Sequence, residues 1–237
     1  MIRAIAPALR HPTNRELPEF HRYWAESHGP LYSQTKALRR YVQHLTLEEA
    51  YGAEPTPSFD GASMFWFDDL GPLIDPDCDP DAAELNAAVV EDDRQLFDRS
   101  PDWPIANKRA SVIGAERVVL DGDTTPEMVK GVFIVARRPG LSLEEFSEYW
   151  LVTHGPLVAD VPGLRRYVQT HAIPEAYGIK GVMGPTHDGF SELWFDDFSS
   201  LQSAMASSEW TVVRESARSL FAEPVAYVAG RELVQKG

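Results

Sequence analysis

The 237-residue chain has one cysteine, Cys78, so it can form no internal disulfide and no multi-cysteine zinc or iron-sulfur site. A reducing compartment is expected. Basic residues are scarce too: 22 Lys and Arg against 36 Asp and Glu leave a formal charge of −14 and a pI near 4.9. So acidic a chain repels phosphate backbones and anionic lipid, which argues against a nucleic-acid or membrane partner. No run of about eighteen apolar residues occurs, and Arg3, Pro7 and Arg10 interrupt the start before a signal-peptide core can develop. A cytoplasmic protein is expected. The Gly-x-Gly-x-x-Gly, phosphate-loop, Gly-x-Ser-x-Gly and His-x-x-x-His patterns are also missing, so nothing supports nucleotide chemistry, a serine hydrolase or a helix-borne metal site.

What the chain does contain is itself, twice. Phe20 to Gln43 reads FHRYWAESHGPLYSQTKALRRYVQ and Phe146 to Gln169 reads FSEYWLVTHGPLVADVPGLRRYVQ, with thirteen of 24 positions identical at an offset of 126. Ala50-Tyr51-Gly52 returns as Ala176-Tyr177-Gly178, and Trp66-Phe67-Asp68-Asp69 returns as Trp194-Phe195-Asp196-Asp197. Repeats must be found before elements are assigned, because they set the architecture. The halves are read as 1–121 and 127–237, joined through the linker-like DGDTTP stretch.

Each half has the order β-α-β-β-α-β, a ferredoxin-like unit. In the second, Val129 to Ala136 is β-rich, and Ser142 with Glu145 forms a capping-box signature before a helix bearing Phe146, Tyr149 and Trp150. That helix is expected to stop at His154, with Gly155 as a left-handed cap before Pro156; His28 takes the matching place. One helix is expected over about Ser199 to Phe221. A sheet with helices on one face leaves the other face bare, so the predicted fold is α+β, with two units packed sheet to sheet around an enclosed space.

The pattern Phe-x-x-Tyr-Trp-x-x-x-His-Gly-Pro-Leu, followed by Leu-Arg-Arg-Tyr-Val-Gln, resembles the EthD-domain family of dimeric α+β barrel proteins and occurs in both halves. The resemblance implies a small-molecule substrate and a barrel formed within one chain, with a further homodimer possible. It leaves the reaction open among dehydratases, isomerases and cofactor-free oxygenases. Related barrels also include heme enzymes, so heme with an axial histidine is the alternative to a site without cofactor.

His28 and His154 are the candidate proton-transfer groups, since a last-turn histidine near the negative end of a helix dipole is expected to have a raised pKa. A histidine there can equally serve only to cap carbonyls. On the second strand, Arg165, Tyr167, Gln169 and His171 share a face, matched by Arg39, Tyr41 and Gln43 in the first half. Such polar groups need partners when buried and suit a pocket wall, with either arginine able to hold a carboxylate or phenolate. The second half is richer in titratable groups, having His171 for Leu45, His187 for Phe59 and Glu192 for Met64. The working site is therefore placed there, with His154 as acid or base, Tyr177, His171 or Glu192 as partners, and Tyr51 and Asp188 as further binding candidates. Trp24 and Trp150 read as core, and the acidic stretch Asp75 to Asp81 as a solvated helix entry. The function that fits is elimination of water or isomerisation on a small aromatic or cyclic oxygenated compound, needing only an acid, a base and a dry cavity. The rivals are a heme or cofactor-free oxygenase and a non-catalytic small-molecule binder.

Overall fold

The computed structural model describes residues 1–11, 16–75, 82–97, 111–179 and 185–237; Cys78 and most of the acidic stretch fall outside them. The first repeat supplies strands β1 (Ile2–Ala8), β2 (Leu38–Thr46), β3 (Gly61–Phe67) and β4 (Val112–Leu120), with helices α1 (Leu17–Tyr23), α2 (Gly29–Tyr32), α3 (Gly71–Ile74) and α4 (Ala83–Leu96). The second supplies β5 (Val129–Val135), β6 (Arg166–Ala172), β7 (Gly189–Phe195) and β8 (Ala226–Lys236), with α5 (Leu143–Tyr149), α6 (Gly155–Ala159), α7 (Phe198–Met205) and α8 (Ser208–Leu220). The capping box at Ser142 and Glu145 is formed in both directions. Where one long helix is expected near the C-terminus there are two, because Ser207 caps α8 by accepting from the Trp210 amide.

All eight strands close into one antiparallel barrel, in the order β1-β3-β2-β8-β5-β7-β6-β4. Each repeat keeps the ferredoxin-like order, and the two sheets are also zipped edge to edge: β8 runs along β2, and β4 along β6. This removes every free sheet edge, which two stacked sheets would not do. Strand alternation then sends one side-chain set inward and the other toward the helices.

The inward set is packed rather than hollow. Ile5, Val42, Met64, Val132, Ile134 and Phe190 form a cluster there, joined by the fully buried Lys130 and Glu192 and the nearly buried Arg3. Side chains thus fill the region between the sheets where an enclosed space is expected, and the cavity described below lies on the helix side of the second repeat.

The helix stop at His-Gly-Pro is also corrected. Gly29 and Gly155 are right-handed, with φ of −58° and −55°, and the chain passes without a break into α2 and α6. Between α1 and α2, and between α5 and α6, lies one wide π-helical turn, Trp24–His28 and Trp150–His154. The wide turn accommodates Pro30 and Pro156, which donate no hydrogen bond, at the start of the next helical turn. Space favours glycine there: a Cβ on Gly155 would lie 3.2 Å from the Trp150 carbonyl and 3.3 Å from Gln169 Nε2, so those neighbours would have to give by a few tenths of an ångström. Gly61 likewise makes room for a ring, since its Cβ would sit 2.5 Å from Trp24 Cζ3.

Candidate functional site

The repeated Gln supports that turn. Gln169 Nε2 donates to the Trp150 carbonyl at 3.1 Å and to the Tyr167 hydroxyl at 2.7 Å. In the first repeat Gln43 Nε2 does the same for Trp24 (2.9 Å) and Tyr41 (3.1 Å). Orientation is fixed from behind: Gln169 Oε1 meets His171 Nε2 at 2.7 Å, while His171 Nδ1 meets the Ser147 hydroxyl at 2.6 Å. His171, packed at a tilt against Trp150 with centroids 4.4 Å apart, is held neutral by burial, with its pKa lowered to about 4. Its Nε2 therefore carries the proton that Gln169 Oε1 accepts, and Nδ1 accepts from Ser147. The chain Ser147, His171, Gln169, Tyr167 ends on a hydroxyl that accepts from Gln169 and retains its own proton, which burial holds on by raising the phenol pKa.

Tyr167 and His154 both line a cavity of about 500 Å³, open to solvent on one side, between the helix-facing side of β5, β6 and β7 and the helices of the second repeat. Phe133, Leu193, Trp210 and Tyr227 give it aromatic and aliphatic walls, and Ser191 adds a hydroxyl. Arg214, Arg218 and Glu223, together with Glu54 of the first repeat, bring the charged groups. His154 Nδ1 lies 3.1 Å from the Ser216 hydroxyl of α8, and Nε2 has no hydrogen-bond partner among the described residues. Burial alone lowers its pKa to about 4. The raised pKa expected from a helix terminus is thus reversed: the helix does not end at His154, and desolvation favours the uncharged ring.

The equivalent space in the first repeat is nearly closed, at about 40 Å³. Tyr32 and Phe65 fill it, their rings tilted against each other, with Phe65 stacked on Tyr41 at 5.1 Å and only 17° from parallel. Tyr32 and Phe65 stand where the second repeat has Val158 and Leu193. His28 Nδ1 is paired with Asp92 at 2.7 Å, the place Ser216 occupies beside His154.

Other expected site residues are elsewhere. Glu192 points into the barrel, on the opposite side of β7 from Ser191 and Leu193, and is ion-paired with Arg3 and Lys130. Arg165 and Arg39 are exposed and form ion pairs with Asp196 and Asp68, so neither faces the cavity. Tyr177 donates to Asp188, which also accepts from the Arg137 amide (2.7 Å) and guanidinium (2.6 Å). Tyr51, Asp60 and Arg10 repeat that clamp, with the Tyr51 hydroxyl 2.5 Å from Asp60. These two triads pin the turn before β3 or β7 to the chain after β1 or β5. Trp210, Ser191, Ser216, Arg214 and Arg218 were not singled out from sequence. Pairing α8 with α4 by aligning Phe221 on Phe97 exposes the exchange of Asp92 for Ser216 and of Val90 for Arg214.

The EthD domain profile matches residues 15–100 and 138–220. The chain belongs to the EthD family. Its two EthD segments carry the two π-turn histidines. An EthD family protein of Bacillus halodurans is 27% identical over 45% of this chain and 99% of its own, with a TM-score of 0.37. An anthrone oxidase-like protein covers 100% of this chain with 93% of its own, at 10% identity and a TM-score of 0.58. A Fusobacterium nucleatum protein, provisionally assigned as a monooxygenase, covers 99% with 92% of its own, at 7% identity and a TM-score of 0.52. The last two establish the shared barrel fold. No curated protein sequence matches the chain. No described helix is long and apolar enough to cross a membrane.

Heme does not fit the histidines. A metal-bound imidazole is made a good donor by a carboxylate or carbonyl on its other nitrogen. His28 has that carboxylate but only about 40 Å³ beside it, whereas His154 has the space but a hydroxyl partner in place of the carboxylate.

Proposed function

We propose that this EthD protein is a cofactor-independent acid/base enzyme, of the lyase or isomerase type, acting on a small aromatic or cyclic oxygenated compound in the cavity of the second repeat. The observation that carries the reading is His154 Nε2, unpartnered on a neutral ring in the wall of a roughly 500 Å³ aromatic cavity. Such a volume suits a small organic ligand.

In this reading Nε2 takes a proton from a carbon beside a carbonyl, and the electron pair moves onto the carbonyl oxygen. Tyr167, which still holds its proton, donates a hydrogen bond to that oxygen as its charge grows. A neutral imidazole of low pKa is a weak base in isolation, but the enolate formed beside it stabilises the imidazolium, and the dry walls strengthen that attraction. The imidazolium then returns the proton to another carbon, giving isomerisation, or to a departing hydroxyl, giving elimination of water. A cofactor-free oxygenase would share the first step and hand the carbanion to dioxygen.

The test is deuterium exchange at the benzylic carbon of anthrone in heavy water under argon, compared for wild type and His154→Gln. Exchange by the wild type that falls at least about a hundredfold in the variant supports the reading, since a positioned base contributes roughly 10²–10⁴. Equal rates overturn it. Oxygen uptake in air by wild type alone would favour the oxygenase branch.

A further inference from the structure

We infer that the cavity of the second repeat takes an anionic ligand, an aromatic carboxylate or similarly charged ring compound, whose negative group is held by Arg214 and Arg218. This rests on the cavity being the binding site.

Seven of the fourteen described arginines have an acidic partner, and Arg214 and Arg218, both solvent-exposed at the cavity, are among the seven that have none. Arg10, Arg39, Arg137, Arg165 and Arg166 each have an acidic partner. Arg214 and Arg218 have no acidic partner among the described residues, in a protein of net charge −14, and both line the cavity. The comparison between repeats is sharper. Arg94, the counterpart of Arg218, pairs with Glu91 at 3.3 Å on its own helix. The second repeat retains the equivalent acid, Glu215, yet no such pair forms, and Arg218 lines the cavity instead. Arg214 replaces Val90. One cation, Arg214, has thus been added in the repeat whose cavity is open, where Arg218 is also free of its helix-neighbour acid, and neither guanidinium has an acidic partner among the described residues.

Helix geometry places this pair relative to the base. At about 100° per residue, Arg214 and Arg218 share one edge of α8, and Ser216 lies on the other edge of the buried stripe formed by Trp210, Val213 and Leu220. Ser216 holds His154. The anchoring charge and the proton acceptor therefore sit at opposite edges of the helix, with the aromatic walls between them. A flat ring bearing an acidic group at one end and a reactive carbon at the other spans that arrangement. Two exposed acids, Glu54 and Glu223, also border the cavity, so the preference arises from close contact with the guanidinium pair, not from a long-range positive field.

Three probes of one shape test this: 2-naphthoate, the neutral 2-naphthamide and the cationic 2-naphthylmethylammonium, with binding read from quenching of tryptophan fluorescence and confirmed by calorimetry. Wild type is expected to bind naphthoate about tenfold tighter than naphthamide. The Arg214→Gln/Arg218→Gln variant should bind the two equally, with naphthamide affinity unchanged. Arg94→Gln, at the matching exposed place of the first repeat, should leave all three affinities as they are. Naphthamide binding as well as or better than naphthoate, or a preference for the ammonium probe, overturns the anion assignment while the cavity stands as a binding site. No binding of any probe overturns both.

Discussion

Arg3 and Lys130, equivalent residues of β1 and β5, converge on Glu192: Arg3 Nη2 lies 2.5 Å from Oε2 and Lys130 Nζ 2.6 Å from Oε1. The counterpart of Glu192 in the first repeat is Met64, whose sulfur accepts from Lys130 at 3.4 Å and from Arg3 at 3.6 Å. One carboxylate therefore neutralises cations from both repeats inside the barrel, with Glu116 and Glu232 as outer partners.

Removing that charge leaves two buried cations short of a partner. Glu192→Gln is expected to lower unfolding stability by about 3–5 kcal/mol, measured by urea titration at pH 7. The folded variant should bind 2-naphthamide as wild type does, because Glu192 faces away from the cavity. A stable variant that has lost binding would return Glu192 to the site.

The aromatic plug of the first repeat can be transplanted. Val158→Tyr with Leu193→Phe should fill the large cavity and abolish naphthamide binding, at an overpacking cost of about 1–3 kcal/mol. Calorimetric titration together with a thermal melt checks both parts. Unchanged affinity would mean that the ligand binds elsewhere.

Ser216→Asp would give His154 the carboxylate that His28 has. The pKa of His154 should rise from about 4 toward the ordinary value near 6.5, read by NMR titration of the imidazole. A pKa that stays put would show that the ring is not engaged through Nδ1.

Acid sensitivity follows from neutral buried histidines. Burial lowers His154 and His171 from 6.5 to about 4 and His44 to about 3. Below 6.5 the unfolded chain takes up protons that the folded chain refuses, so their contribution is complete above about pH 6.5. It is lost as pH falls toward 4, and toward 3 for His44. Unfolding free energies at about pH 7, 6 and 5, above the ordinary carboxylate range, should decline steadily. A flat profile there would contradict these assignments.

The barrel and its internal symmetry were legible because the His-Gly-Pro and Arg-Arg-Tyr-Val-Gln blocks recur at one offset. The Tyr-x-Gln face was legible as a buried polar wall. Glu192 was misplaced because its neighbours Ser191 and Leu193 carry the cavity side of β7, and the inward side is fixed by pairing with β5 and β6, which a single strand does not disclose. Arg165 and Arg39 read as anchors because their acids, Asp196 and Asp68, lie 31 and 29 residues away in sequence. The His154 pKa is lowered because the ring is buried, and the helix terminus expected to raise it is absent because the chain runs on through the π-turn into α6. Ser216 and Arg214 stayed hidden because α8 aligns with α4 at an offset of 124, two short of the motif's 126.

The most direct test is a crystal structure of the protein with 2-naphthamide. The ring should lie between α8 and the strands β5 and β7, within contact of His154 and Trp210. A ring inside the barrel beside Glu192, or seated against His28 in the first repeat, would contradict the account.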